Sequence, residues 1–250
     1  MSTGELFARE TEEVAPGAVH LPDWLSGQEQ HELLAACREW AKPPAGLRTV
    51  RLAGGKEMSV KQFSLGRHWG PVARCPNCGQ AVNEPPQSCD RHRFPYGYAP
   101  TVVDGGGEPV KPFPEWLGEW ARTAVDDASA VVEAGSGSGA YGERPCAAPY
   151  DIALVNFYGA SARMGMHRDS DERSGEPVVS FSLGDDCVFR FGTPQGRGRP
   201  WRDVVLRSGD AFVFGGPSRL AYHGVPRTDP GTAPAALGLR GRVNVTVRAY

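Results

Sequence analysis

Apolar residues along this 250-residue chain change their spacing near residue 150. Before that point they fall mostly at helical intervals; after it they alternate or bunch into short runs. Residues 6–23 show no strong period and are expected to be an extended lead-in. Ser26-Gly27-Gln28-Glu29 then fits a capping box, in which a serine hydroxyl and a glutamate three residues on satisfy each other's orphan backbone N–H groups. The helix it opens sets Leu33, Leu34, Cys37 and Trp40 on one face and is stopped by Pro43-Pro44. His31 falls on its polar side and is expected to be solvated. Residues 58–63 read as a strand. A second helix is predicted from Pro114 to Glu133, its apolar face being Trp116, Leu117, Trp120, Ala121 and Ala124, with a flexible loop at residues 135–140.

Beyond Asp151 short strands are predicted at 152–158, 178–183, 188–191, 204–206, 211–214 and 242–248. Strands this short and this close together belong to a sandwich or barrel. The fold class expected is therefore mixed α/β, mainly β in the C-terminal part. Residues 1–150 read as an N-terminal extension with helices, and residues 151–250 as a β core, the whole forming one structural unit.

Composition narrows the functional classes. A formal net charge of −2 gives no global basic field, although a locally basic cleft remains compatible with it. The 32 glycines and 22 prolines favour turns and short strands over a helical bundle. No apolar run is long enough to span a bilayer, and the polar start Met1-Ser2-Thr3-Gly4-Glu5 is not a signal peptide, so a cytoplasmic location without membrane association is expected. The six cysteines then read as thiols or metal ligands rather than disulfides.

Three patterns carry chemistry. His167 and Asp169 are two residues apart, which on an extended segment puts both side chains on one face. With the distant His223 they supply a 2-His-1-carboxylate set for non-haem iron. Cys75, Cys78, Cys89 and His92, spaced C-x₂-C-x₁₀-C-x₂-H, resemble the ligands of a small structural zinc site. Finally, residues 242–248 alternate strictly, with Val243, Val245 and Val247 on one face and Arg242, Asn244, Thr246 and Arg248 on the other. Two arginines on one half-buried face invite an anion, and a dicarboxylate suits their forked donors. Trp69 and Tyr96 read either as core or as flat surfaces for a base.

Taken in order, Asn156-x-Tyr158, His167-x-Asp169-x-Asp171, residues 180–184, Phe191-Gly192, Gly209-Asp210, residues 215–224 and Arg242-x-Asn244-x-Thr246-x-Arg248 resemble the AlkB family of Fe(II)- and 2-oxoglutarate-dependent dioxygenases. A looser similarity covers residues 54–60, Trp69 and Tyr96-x-Tyr98-x-Pro100, which correspond to the nucleotide-recognition lid of bacterial members. The segment from Cys75 to His92 departs from the family as an insertion in that lid, and Phe214 stands where those members have tryptophan.

The resemblance implies a double-stranded β-helix, or jelly-roll, with iron held by His167, Asp169 and His223. It implies that Arg242, Tyr158 and Asn244 grip the distal carboxylate of 2-oxoglutarate, and that Arg248, helped by Asn156, fixes its keto-acid end. It makes Asp171 the catalytic-site carboxylate facing the damaged base, Trp69 and Tyr96 the stacking and lid residues, and Arg197 or Arg199 a contact to phosphate or base. The implied cofactors are Fe(II), 2-oxoglutarate and O₂; the spacing of Cys75, Cys78, Cys89 and His92, apart from the resemblance, adds one structural zinc to the expectation, with free thiols in a Pro-rich loop as the alternative. The implied reaction is oxidative demethylation of 1-methyladenine- or 3-methylcytosine-type lesions in DNA repair, releasing formaldehyde, succinate and CO₂. Its substrate would be single-stranded or flipped out of the duplex, and the enzyme a monomer. Two alternatives stand beside it: the same oxygenase chemistry on RNA or protein, and a nucleic-acid-binding zinc-knuckle protein with a vestigial iron site. Retention of all three iron ligands and both arginines argues against the second.

Overall fold

The structure, a computed structural model, describes residues 9–51, 56–71, 96–102, 107–136, 141 and 148–250. Among the described residues, two α-helices, α1 (Gly27–Trp40) and α2 (Glu115–Ser136), accompany fourteen strands. A large sheet holds β1 (Glu12–Ala15), β2 (Ala18–Leu21), β3 (Arg48–Arg51), β4 (Glu57–Leu65), β7 (Tyr150–Tyr158), β9 (Val178–Gly184), β12 (Ala211–Phe214) and β14 (Arg242–Ala249), in the order β1-β2-β12-β9-β14-β7-β4-β3. A smaller sheet runs β11 (Arg202–Leu206), β10 (Asp186–Phe191), β13 (His223–Asp229), β8 (Met164–His167), and β5 (His68–Pro71) pairs with β6 (Tyr96–Ala99). Strands from both sides of residue 150 thus share the large sheet.

The period-2 alternation of β14 decides what faces what. Val243, Val245 and Val247 turn outward into a core shared with α1 and α2, where Leu33, Leu34, Leu117, Ala121, Ala124 and Ala128 are buried. On the opposite side of the large sheet Phe212, Phe214, Val178 and Tyr158 pack against Phe189, Phe191, Val204 and Leu206 of the small sheet. The polar ladder Arg242, Asn244, Thr246, Arg248 is therefore trapped between the sheets, in register with Tyr158, Asn156, Leu154 and Ile152 of β7.

α1 begins as expected: Glu29 N donates to Ser26 Oγ at 3.3 Å and Ser26 N to Glu29 Oε2 at 2.8 Å. Four expectations are corrected. The lead-in contains a hairpin, β1 and β2, and all four residues of β2 are buried. That burial on both faces removed the alternation that would have betrayed a strand. His31 is not simply solvated, since its Nδ1 lies 2.7 Å from Gly27 O and its Nε2 3.0 Å from Ala236 O. Gly135 and Ser136 belong to α2 rather than to a loop. Strands β3, β5, β6, β8 and β13 were not expected; of these β8 and β13 are short or broken by Gly, Pro and charge, and each carries an iron-ligand candidate.

A buried carboxylate ties the hairpin to the barrel. Asp210 accepts from Arg9 at 2.8 and 2.6 Å, lies 2.8 Å from His20 Nε2, and accepts from the backbone N–H groups of Asp23 and Arg207. Burial alone would raise its pKa, but His20, Arg9 and the two backbone donors outweigh it and hold the carboxyl down to about 2. A depressed folded pKa contributes stability above the unfolded value, and that stability is lost as the pH falls towards the folded value. Asp210→Asn is expected to cost about 3–5 kcal/mol at pH 7 in chemical denaturation, because it strips a buried pair of one partner. The gap to wild type should close as pH falls from about 4 towards 2; a gap independent of pH would contradict the assignment.

Candidate metal and cosubstrate site

His167 ends β8 and His223 opens β13, and the two are cross-strand partners with ring centroids 4.5 Å apart. Asp169 follows two residues after His167, buried just beyond the strand end. His167 Nε2 is 3.9 Å from Asp169 Oδ1 and His223 Nε2 3.7 Å from Asp169 Oδ2; the three ligand atoms lie within 4.8 Å of one another. Each ring is oriented by its other nitrogen, since His167 Nδ1 meets Gly165 O and His223 Nδ1 meets Ala221 O, both at 3.0 Å. A carbonyl only accepts, so both Nδ1 atoms carry a proton and both Nε2 atoms are turned towards Asp169. Burial, then the nearby His167, pushes the His223 pKa down to about 4, so the ring is neutral at pH 7. For Asp169 burial opposes ionisation, but Arg248, His223 and His167 outweigh it and hold its pKa down to about 2. Two histidine Nε2 atoms and one carboxylate, with coordination positions left open, suit Fe(II).

Two cavities meet at this triad. The smaller, of about 40 Å³, is lined by Asn156, Tyr158, Arg242, Asn244 and Arg248 together with His167, Asp169 and His223. All five residues expected to hold the cosubstrate are thus brought together with all three expected iron ligands. Arg242 is 1% exposed and donates to Ser182 Oγ at 2.9 Å, while its Nε and Nη1 find no hydrogen-bond partner among the described residues. A buried guanidinium with two idle donors is costly unless an anion occupies them. The Tyr158 hydroxyl, whose residue is the register partner of Arg242, donates among the described residues to Met164 Sδ at 3.8 Å. A dicarboxylate such as 2-oxoglutarate fits these donors.

The remaining expectations divide. Asn244 donates to Ser180 Oγ at 2.5 Å and accepts from Thr246 at 2.9 Å, so it braces the ladder. Asn156 accepts from Gln62 at 3.0 Å instead of meeting Arg248 directly. Arg248 Nη2 forms a 2.7 Å ion pair with Asp169 Oδ2 that lacks hydrogen-bond alignment, and its Nη1 donates to the Tyr98 hydroxyl at 2.7 Å and Glu172 Oε1 at 2.9 Å.

The larger cavity, about 350 Å³, opens on the other side of His167 and Asp169 and is lined by Trp69, Asp171, Arg168, Gln62 and Met58 among others. Trp69 Nε1 donates to Asp171 Oδ2 at 2.8 Å, and the Trp69 and Tyr96 rings stack at 4.9 Å and 17°. The stacking and lid residues Trp69 and Tyr96 and the carboxylate Asp171, all expected to meet a base, are therefore one unit. Arg197 lines neither cavity; its guanidinium sits 5.7 Å above the Tyr222 ring, on which Arg168 also packs, and Arg199 lies on Trp201. Phe214 packs 5.0 Å from His223. Cys75, Cys78, Cys89 and His92 lie outside the described residues. Glu172, Arg219 and Gln62 were missed by sequence reasoning, although Glu172 directly follows the H-x-D-x-D segment and Arg219 stands within residues 215–224.

A β-sandwich holding two histidines and an aspartate at its rim, beside a buried guanidinium awaiting an anion, defines a non-haem iron oxygenase of the keto-acid-dependent class. Residues 17–248 match the 2OG-Fe(II) oxygenase superfamily, and the chain belongs to the AlkB family within it. It is 30% identical over 234 residues to the alpha-ketoglutarate-dependent dioxygenase AlkB of Salmonella typhimurium, covering 92% of this chain and 91% of that protein. It is 31% identical over 261 residues to the DNA N(6)-methyladenine demethylase ALKBH1D of Arabidopsis thaliana, covering 97% of this chain and 53% of the relative, so it spans about half of that protein's length. Among solved structures it is similar to OsALKBH1, with a TM-score of 0.76 and 30% identity over 96% of this chain and 100% of the other.

Proposed function

We propose that this protein is an Fe(II)- and 2-oxoglutarate-dependent oxidative demethylase of N-alkylated nucleobases in DNA, of the 1-methyladenine and 3-methylcytosine type. One observation carries the reading: His167 and Asp169 form a common wall between the two cavities, one holding the idle Arg242 donors and the other Trp69 and Asp171. The Arabidopsis and Salmonella relatives, a DNA demethylase and an AlkB dioxygenase by name, support the same chemistry.

His167 Nε2, His223 Nε2 and an Asp169 oxygen would hold the iron. Arg242 would take the distal carboxylate of 2-oxoglutarate with the Tyr158 hydroxyl donating beside it, while Arg248 would meet the other end. When bound, iron and 2-oxoglutarate would supply an oxidation by O₂ in which one oxygen atom enters the keto acid as it loses CO₂ to give succinate and the other hydroxylates a C–H bond. An N-methyl group hydroxylated in this way leaves as formaldehyde. Trp69 offers the inserted base a flat face, and Asp171 favours a cationic methylated ring. A base in a duplex must leave the stack to reach a cavity of this kind.

The test compares oligonucleotides carrying 1-methyladenine or 3-methylcytosine as single-stranded DNA, duplex DNA and RNA at one salt concentration, because phosphate contacts make affinity salt-dependent. Single-stranded DNA is expected to turn over fastest; faster turnover of RNA would replace the DNA reading with the RNA one. Trp69→Ala should raise KM for the oligonucleotide about tenfold, the loss of roughly 1–3 kcal/mol of base stacking, and leave KM for 2-oxoglutarate unchanged. An unchanged oligonucleotide KM would remove Trp69 from the substrate site.

A further inference from the structure

Asp169 is held at both ends by a closed ring of charged groups. Its carboxylate meets Arg248 Nη2 at 2.7 Å, and Arg248 Nη1 donates to Glu172 Oε1 at 2.9 Å. Glu172 Oε2 accepts from Arg219 Nη2 at 3.2 Å, and Arg219 Nη1 returns to the backbone carbonyl of Asp169 at 2.7 Å. Arg219 Nε completes a third bond, to Glu176 O at 2.8 Å. Arg219 is only 8% exposed and stands four residues before His223, so one guanidinium joins the loop that follows His167 to the loop that delivers His223. The ring also touches the lid, because the Tyr98 hydroxyl donates to Glu172 Oε1 at 2.6 Å.

From this geometry we infer that Arg219 and Glu172 are positioning residues for the iron site. Arg219 fixes the backbone of Asp169 relative to His223. Glu172 shares the Arg248 guanidinium and so limits its hold on the Asp169 carboxylate, which a metal must also use. Remove Arg219 and the loop carrying Asp169 loses three anchors, two of them to its own carbonyls. Remove the charge of Glu172 and, among the described residues, Asp169 is the carboxylate left to Arg248, which then competes more strongly with a metal ion for that oxygen. Partners behind metal ligands commonly change metal affinity about 10- to 100-fold.

Metal binding can be read without turnover, by titrating metal-free protein with Co(II) and following its visible absorption, with a thermal melt of the metal-free protein as the fold control. Arg219→Gln is expected to weaken Co(II) binding about 10- to 100-fold, and Arg219→Lys, which retains the charge and reaches fewer acceptors, to recover part of the loss. Glu172→Gln preserves shape and should weaken Co(II) binding at least about fivefold in the same sense, which keeps the inference testable if Arg219→Gln does not fold. Folded variants that bind Co(II) within twofold of wild type would overturn it. The inference rests on the proposed iron site but not on the substrate: wild-type protein that binds Co(II) yet demethylates no oligonucleotide would refute the demethylase reading alone.

Discussion

Asp169→Asn should abolish turnover and also loosen the fold. The carboxylate is the one anionic member of the triad, and its oxygens face His167 Nε2, His223 Nε2 and Arg248 Nη2. An amide of the same shape is a poor metal ligand, and whichever way it lies, it either turns its N–H donors towards Arg248 or towards the metal position. Turnover is expected to fall at least about a thousandfold, the equivalent of roughly 4 kcal/mol of metal-dependent stabilisation. The metal-free protein should lose about 1–3 kcal/mol in denaturation, since Arg248 keeps Glu172 and the Tyr98 hydroxyl as partners. Succinate release with Fe(II) checks the first and chemical denaturation the second. Turnover within tenfold of wild type would remove Asp169 from the metal site.

Arg242→Met pulls stability and function in opposite directions. In the ligand-free protein the guanidinium is buried with two donors idle and one bond, to Ser182. Methionine fills similar space without a charge to desolvate, and replacement of buried charge by apolar side chains is often neutral or stabilising by about 1–4 kcal/mol. The variant should therefore melt above wild type when no ligand is present. With 2-oxoglutarate the order should reverse. A charge-assisted pair is worth about 1.5–3 kcal/mol per hydrogen bond, so KM for 2-oxoglutarate should rise about 100-fold or more. A variant that melts lower than wild type without ligand, with KM unchanged, would make Arg242 a structural residue.

How far the sequence could be read depended on where each signal lay. β14 declares itself through strict alternation, and because one side of it packs on helices and the other on the small sheet, the polar face had to become a site. His167 and Asp169 are legible because neighbours in sequence are neighbours in space. His223 is a candidate by residue type, but no local pattern ties it to His167, because the register that sets the two opposite each other belongs to two strands too short and too interrupted to show a period. The Glu172–Arg219 bond spans 47 positions and the Glu172–Arg248 bond 76, so no local pattern could announce either. The hairpin of β1 and β2 escaped for the converse reason: a strand buried on both faces looks like an unpatterned apolar run.

Cofactor and substrate readings meet in a single stoichiometry. Fe(II)-loaded protein given 2-oxoglutarate, O₂ and a single-stranded oligonucleotide carrying 3-methylcytosine should release succinate and formaldehyde in a one-to-one ratio, with one unmodified cytosine restored for each. Succinate release that neither rises with the methylated oligonucleotide nor comes with formaldehyde, from protein shown to hold iron, would contradict the demethylase account.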